Sequence, residues 1–397
     1  MHAPDDAHTT TNDAPPDGAA EPTAAVDGTT IALFFTFGVT MRAWFEDGML
    51  DREVAVYNRL ADHADRVYLF TYGDASDRAY ADHLADNVEV VPKRRVHNDL
   101  LYSFLAPLVH YRLLREVDVV KTNQMLGSWT ALLAKYLCGP ALVVRTGYVL
   151  STFYDELGKP LPIRAVATTL EAVAYCFADA VFTSSPRGYA YVEDRYWVRG
   201  DHLMLPNYIE TDVFRPIDVD TRPDSLCFVG RLAPQKNLRS LLTALGATPY
   251  RLTVVGDGGL RDDLDLLADE VGADVTFVGR VPNHDLPALL NEHEAFVLPS
   301  KFEGMPKTLL EAMSCGLAVV GTDVQGINEV VTHEEDGLLC ETDPGSIRAA
   351  IERVMTDAAL RETLGTNARR TIETEYSLDT IAGREAALYG RLVRGAG

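Results

Sequence analysis

Apolar runs alternate with segments of helical period along most of the chain, and this alternation constrains the fold more than any other feature. Runs with the character of buried strands occur at 30–37, 66–71, 88–92, 117–121, 141–145 and 180–184. They return at 226–230, 251–256, 275–279, 295–299, 318–321 and 337–340. Segments of helical pattern lie between them, as in LDREVAVYNRLADHA over 50–64. Strands separated by helices pair in parallel and need helices on both faces of the sheet. Two such series in 397 residues exceed what a single core usually organises, so two doubly wound α/β domains are expected to face each other across a cleft. The expected divisions are 29–207, 208–375 and a closing helix over 376–397 whose packing the sequence leaves open. The stretch 201–216, DHLMLPNYIETDVFRP, has two prolines and no period and reads as the connection between domains. Residues 1–28 carry six acids, four prolines and no Lys or Arg, the composition of a disordered acidic tail.

Charge removes several function classes. The 58 acids against 36 Lys and Arg give a formal net charge of −22, which excludes a protein that grips nucleic acid through a broad basic face. Only seven of the cations are lysines, and acid is spread along helix-like segments such as RDDLDLLADE. Such a surface suits solubility in concentrated salt, with an ordinary acidic cytosolic enzyme as the plainer alternative. There is no apolar run of about 18 residues for a spanning helix. The start of the chain lacks the basic and apolar regions of a secretory signal. The five cysteines are scattered and form no CxxC pair, so a reduced cytoplasm is expected rather than disulfides or a zinc site.

Candidate chemistry gathers at strand ends in the second half. Val229-Gly230-Arg231 ends one strand, and Lys236 follows at the expected start of a helix. An Arg fork, a Lys point charge and a helix N-terminus together suit a diphosphate, although a solvated loop pair would look the same. Gly256-Asp257-Gly258-Gly259 lacks a full GxGxxG and establishes only a tight turn. The segment from Ser300 to Gly316 is more specific. It places Glu303 and Gly304 in a polar loop, Pro306 where a first helical turn tolerates it, and Glu311 about a turn further on, at or near the same exposed end. The amides of Met305, Lys307 and Thr308 would then face the cleft beside Glu303. Carboxylates accept hydrogen bonds from vicinal diols, and amides at a helix start bind oxygen anions. A surface Glu and a backbone-satisfied Glu would be the structural alternative.

These motifs, with Phe277-Val-Gly-Arg-Val-Pro282 and Leu205-Pro-Asn-Tyr-Ile-Glu-Thr-Asp-Val-Phe-Arg-Pro216, resemble the retaining glycosyltransferases of family 4, which have the GT-B fold of two Rossmann-like domains. The resemblance is dense over 205–345 and holds only in outline before it. It implies that Arg231 and Lys236, with Gly230, hold a donor diphosphate. It places Glu303 against the donor hexose, Glu311 on the ribose, Met305–Thr308 around sugar and phosphate, and Arg280-Val281-Pro282 near the base. It also implies a nucleotide sugar as substrate, no separate cofactor, no metal, and retention of anomeric configuration.

The sequence departs from the family's pattern in the first half. Relatives carry a His after the strand that matches Ala141–Arg145, in a pattern like T-x-H; this chain reads Arg145-Thr146-Gly147-Tyr148 there, and Gly147 is taken as the His position. Arg145 or Tyr148 could contact donor or acceptor instead, with core-edge packing the plainer role for Tyr148. The usual Gly-rich turn after the first strand shrinks to Phe37-Gly38-Val39-Thr40, where Gly38 still permits close backbone approach. Between 93 and 115, five cations accompany an apolar-rich run. That run reads first as a buried helix with a basic rim, and alternatively as a dock for a membrane surface or polyprenyl phosphate. The aromatics around Phe153 and from Tyr189 to Trp197 read as packing residues. The functional expectation is hexose transfer to a glycan or lipid-linked acceptor at the cytoplasmic membrane face, in cell-surface glycan or glycoprotein-glycan biosynthesis. A GT-B epimerase or phosphorylase, or a non-catalytic sugar-nucleotide binder, are the alternatives.

Overall fold

The computed structural model describes residues 28–395, so the acidic tail expected over 1–28 lies outside the described residues except for Gly28. The first sheet contains β1 (Thr30–Phe34), β2 (Arg66–Phe70), β3 (Val88–Val91), β4 (Val119–Thr122), β5 (Ala141–Thr146), β6 (Ala180–Thr183) and β7 (Asp201–Met204). Its order is β3-β2-β1-β4-β5-β6-β7, with parallel pairing throughout. The second sheet contains β8 (Ser225–Val229), β9 (Arg251–Val255), β10 (Asp274–Gly279), β11 (Ala295–Leu298), β12 (Ala318–Thr322) and β13 (Leu338–Cys340). Its order is β10-β9-β8-β11-β12-β13, again parallel.

In both sheets the winding reverses beside the first strand, between β1 and β4 and between β8 and β11. Loops from the carboxyl ends of the two strands diverge there and leave a crevice, which is where ligands bind in such sheets. This is the GT-B architecture of two Rossmann-like domains. One strand departs from the sequence reading. Asp201–Met204 is paired to β6 and is not part of the connection. It is the outermost strand, none of its residues is buried, and so it carries no apolar run to reveal it.

Each sheet is covered on both sides because neighbouring side chains of a strand point to opposite faces. Along β1, Ile31 and Leu33 join one core cluster while Ala32 and Phe34 join the other. The helix Leu378–Gly395 supplies Leu378, Ile381, Ala382 and Tyr389 to the first of these, against Leu50, Val54 and Tyr57 of the helix Leu50–Ala61. The chain therefore returns from the second domain to pack on the first. Its return runs beside its outward crossing: the Ile209 amide donates to the Tyr376 carbonyl at 2.8 Å, and the Leu378 amide to the Ile209 carbonyl at 2.9 Å. Arg369 ties the same region together, donating to the carbonyls of Phe214 and Ser314 (2.7 Å each) and Thr211 (3.1 Å). Among the described residues, no helix is long and apolar enough to cross a membrane.

Candidate functional site

The carboxyl ends of β8 and β11 converge on one carboxylate. Beyond β8, Gly230 is clamped by its neighbour loop, its amide donating to the Val255 carbonyl at 2.9 Å. Gly256 has φ of +128°, and a Cβ there would lie 1.9 Å from the Gly230 carbonyl oxygen. Backbone thus packs directly on backbone, and this fixes where Arg231 emerges. Arg231 is exposed and, among the described residues, has no carboxylate partner.

Lys236 does not begin a helix. It closes a short 3-10 turn, Pro234–Lys236, and the next residue, Asn237, has φ of +54° and interrupts the run before the helix Leu238–Leu245. Asn tolerates that conformation, and here its side-chain amide also donates to the Thr342 carbonyl at 2.9 Å. The break aims Lys236 at β11, where Nζ lies 2.5 Å from Oε1 of Glu303.

Glu303 is buried and held from several sides. Ser300 Oγ donates to the same oxygen at 2.6 Å, Gln235 Nε2 reaches Oε2 at 3.4 Å, and the Glu303 amide donates to the Gln325 carbonyl at 3.0 Å. Gly326 stands behind this loop with φ of +81°, where a Cβ would lie 2.4 Å from the Gly304 carbonyl oxygen and 2.5 Å from that of Glu303. The sequence reading missed Gly326. Its only signal was a glycine a few residues beyond β12.

The helix Lys307–Ser314 starts after Pro306, whose carbonyl accepts from the Leu309 and Leu310 amides, while the amides of Lys307 and Thr308 at the helix start have no intrahelical acceptor. Gly304 is exposed in front of them. Two residues of this group are placed differently from the sequence reading. Met305 is buried in the second core, and its carbonyl accepts from Asn207 Nδ2 at 3.1 Å, so it faces the interdomain segment. The Lys307 side chain crosses to the first domain, with Nζ 3.4 Å from Glu53 Oε1 and 5.1 Å from the Tyr208 ring centroid. Burial holds the Lys307 ammonium below its usual pKa despite Glu53. Burial alone would raise the Glu53 carboxyl, but Lys307, Arg52 and Arg145 outweigh it and hold its pKa down.

Glu311 is buried rather than at an exposed end, because nearly the whole of its helix is buried. Its Oε1 accepts from Asn283 Nδ2 at 3.4 Å, next to the Arg280-Val281-Pro282 loop, where Val281 is half-buried against the second core. Burial pushes the Glu311 carboxyl pKa up, and Arg52 and Lys307 offset only part of that.

On the first domain, Gly38 is exposed with φ of +79°, and nothing lies within 4 Å of where its Cβ would be. At Gly147, which the sequence reading set at the family's His position, a Cβ would lie 2.7 Å from Gln124 Nε2, and the Gly147 amide donates to Gln124 Oε1 at 3.1 Å. Gln124 fills that space. Arg145 Nη2 donates to Asn207 Oδ1 at 3.1 Å, within the interdomain hinge. Tyr148 and Phe153 are exposed and lie 4.9 Å apart, and Trp197 is exposed as well, so these three are not core packing. Among the described residues, no three His, Cys, Asp or Glu side chains are grouped as a metal site.

Residues 210–371, which include the Arg231, Lys236, Glu303 and Glu311 positions, match the family described as glycosyl transferases group 1. An uncharacterized glycosyltransferase of Methanocaldococcus jannaschii is 33% identical over 182 residues, 44% of this chain and 47% of that protein. The chain thus spans about half the length of that relative. A UDP-Gal:alpha-D-GlcNAc-diphosphoundecaprenol alpha-1,3-galactosyltransferase of Escherichia coli is 27% identical over 75% of this chain and 82% of its own length. Among solved structures, HepE of Anabaena in complex with UDP superimposes with a TM-score of 0.73 at 20% identity, covering 91% of this chain and 100% of that one.

Proposed function

We propose that the chain is a retaining glycosyltransferase that moves a hexose from a nucleotide sugar to a glycan or lipid-linked acceptor, in cell-surface glycan or glycoprotein-glycan biosynthesis. The observation that carries the reading is the convergence of Lys236 on Glu303, at 2.5 Å, beside the exposed Arg231 and a helix start. In the reaction the bond from the sugar to the diphosphate breaks and a glycosidic bond forms to the acceptor oxygen. The acceptor proton passes to the departing phosphate.

Negative charge grows on that leaving group, and an Arg fork, a Lys point charge and helix amides are the groups that stabilise it. No metal is needed in this reading, since these groups face the leaving diphosphate. Without donor, the Lys236 charge is spent on Glu303. A bound diphosphate competes for that ammonium and leaves the Glu303 carboxylate to accept hydrogen bonds from sugar hydroxyls. Glu311 accepts from the ribose. The names of two relatives support the substrate classes: HepE is seen with UDP, and the E. coli enzyme is named for a UDP-sugar donor and a lipid-diphosphate-linked acceptor.

The two partners should separate in experiment. Lys236→Ala is expected to weaken nucleoside diphosphate binding roughly tenfold to a hundredfold, the scale of a lost charged hydrogen bond. Glu303→Gln is expected to bind the nucleoside diphosphate within a few-fold of wild type yet lose transfer. Calorimetry and product analysis check both. Wild-type turnover in either variant sinks these assignments, and a new sugar nucleotide formed without acceptor replaces the transferase reading with an epimerase.

A further inference from the structure

The first domain presents an apolar face that the donor site does not use. In the helix Asp99–Val109, Leu100, Leu101, Phe104 and Leu108 are 57%, 53%, 49% and 56% exposed. The sequence reading of this segment as a buried helix with a basic rim is therefore overturned: only Tyr102, Ser103, Ala106 and Pro107 face inward. Neighbouring helices also expose large apolar side chains: Tyr136 of Ser128–Cys138, which packs against this helix, is 62% exposed, and Val166 of Leu161–Phe177, which packs against Ser128–Cys138 in turn, is 68% exposed. Monomeric soluble proteins seldom leave so broad an apolar patch open without a partner for it.

The charge around the face differs from the rest of the molecule. Arg94, Arg95, Arg112 and Arg115 are all exposed. Among the described residues none of the four is paired with a carboxylate: Arg94 reaches only the Val109 carbonyl and Arg115 the Tyr111 hydroxyl. Lys93, by contrast, is paired with Asp99 at 2.5 Å. Four unneutralised arginines flanking one apolar helix stand out in a chain of net charge −22.

We propose that this face docks on the surface of an anionic lipid bilayer, with the apolar side chains in the interface and the arginines on lipid phosphates. A symmetric contact with a second copy would set these arginines against each other, since both copies offer the same patch. The position also serves the cleft. Phe104 lies 6.4 Å from Trp129, which lies 5.7 Å from Phe37 in the loop that follows β1. A bilayer held here lies beside the carboxyl ends of the first sheet, where an acceptor anchored in it can enter. The docking goes beyond the transfer reaction and stands or falls without it.

Co-sedimentation of the full chain with vesicles tests the proposal, using phosphatidylcholine mixed with phosphatidylglycerol in one arm and phosphatidylcholine alone in the other. The chain is expected to sediment with the mixed vesicles and far less with the neutral ones. Each cation near an anionic surface is worth roughly fivefold in partitioning. Arg94→Gln with Arg112→Gln should therefore weaken binding by more than tenfold, and Leu100→Ser with Phe104→Ser by a similar amount. All four positions are exposed, so the variants should retain the wild-type melting temperature. Leu266→Ser, at an exposed leucine on the other domain, should bind as wild type does. The proposal is overturned by equal binding to both vesicle types, by no binding to either, or by variants that bind unchanged. It is equally overturned if light scattering finds a dimer that Leu100→Ser with Phe104→Ser dissolves while vesicles capture nothing.

Discussion

Glu303 and Glu311 are both buried, yet their surroundings are opposed. Glu303 has an ammonium at 2.5 Å and a hydroxyl at 2.6 Å, so its charge is compensated where it stands. Glu311 has one amide at 3.4 Å, and burial raises its pKa. A carboxyl whose folded pKa lies above its unfolded one contributes stability at low pH that is lost as pH rises through the folded value. At neutral pH the charged form of Glu311 is thus a cost to the ligand-free fold. Glu311→Gln is expected to raise the melting temperature at neutral pH, with the gain shrinking as pH falls toward the ordinary carboxylate range. The same change should weaken nucleotide-sugar binding about tenfold or more, since a charged acceptor for ribose hydroxyls is lost. Calorimetric scans against pH, with and without nucleoside diphosphate, measure both. An unaltered melting temperature with unaltered binding would remove Glu311 from the site.

The strands were the most legible elements because a parallel strand covered on both faces has to be written in apolar residues. Asp201–Met204 escaped because an edge strand is under no such demand. Burial along Asp99–Val109 also escaped, since a sequence run of Leu, Phe and Tyr looks the same whether it faces a core or a partner. At the site, the residue types were readable from Arg231 to Glu311, but the contacts across loops were not. Lys236 meets Glu303 over 67 positions of sequence, and Gly326 supports the Glu303 loop from yet another strand end. Gly326 gives a sharp test of that support. Alanine at φ of +81° is strained, and its Cβ would press on the carbonyl oxygens of Glu303 and Gly304 at 2.5 and 2.4 Å. Backbone cannot swing aside as a flexible side chain can, so the loop must move. Gly326→Ala is expected to lower kcat/KM by roughly a hundredfold, the usual consequence of an ångström-scale misplacement. Tm should fall by only a few degrees.

The two domains are held by more than their connecting segment. The Lys121 ammonium, on the central β4, bonds Glu385 of the closing helix, and both side chains are 1% exposed. Tyr389 donates its hydroxyl to the same carboxylate, and the Lys121 ammonium lies 5.4 Å from the Tyr57 ring centroid. Burial pushes the Lys121 pKa down, which Glu385 counteracts. This pair pins the last helix under the first sheet and so fixes the second crossing, where Tyr376 and Leu378 hydrogen-bond to Ile209. Desolvating two charges offsets most of their attraction, so the pair itself adds little net stability, while removing one partner strands the other. Lys121→Met is therefore expected to destabilise the chain by about 3–5 kcal/mol in chemical denaturation. Lys121→Met combined with Glu385→Leu should recover most of that loss, because neither charge is then left buried alone. If the helix is positioned by its apolar face, with Ile381, Ala382 and Tyr389 in the core, the double variant keeps its transfer activity. If the double variant is stable but inactive, the ion pair sets the angle at which the helix docks, and through it the relation of the two domains. A single variant as stable as wild type would mean that Tyr389 and water satisfy Glu385 without the lysine.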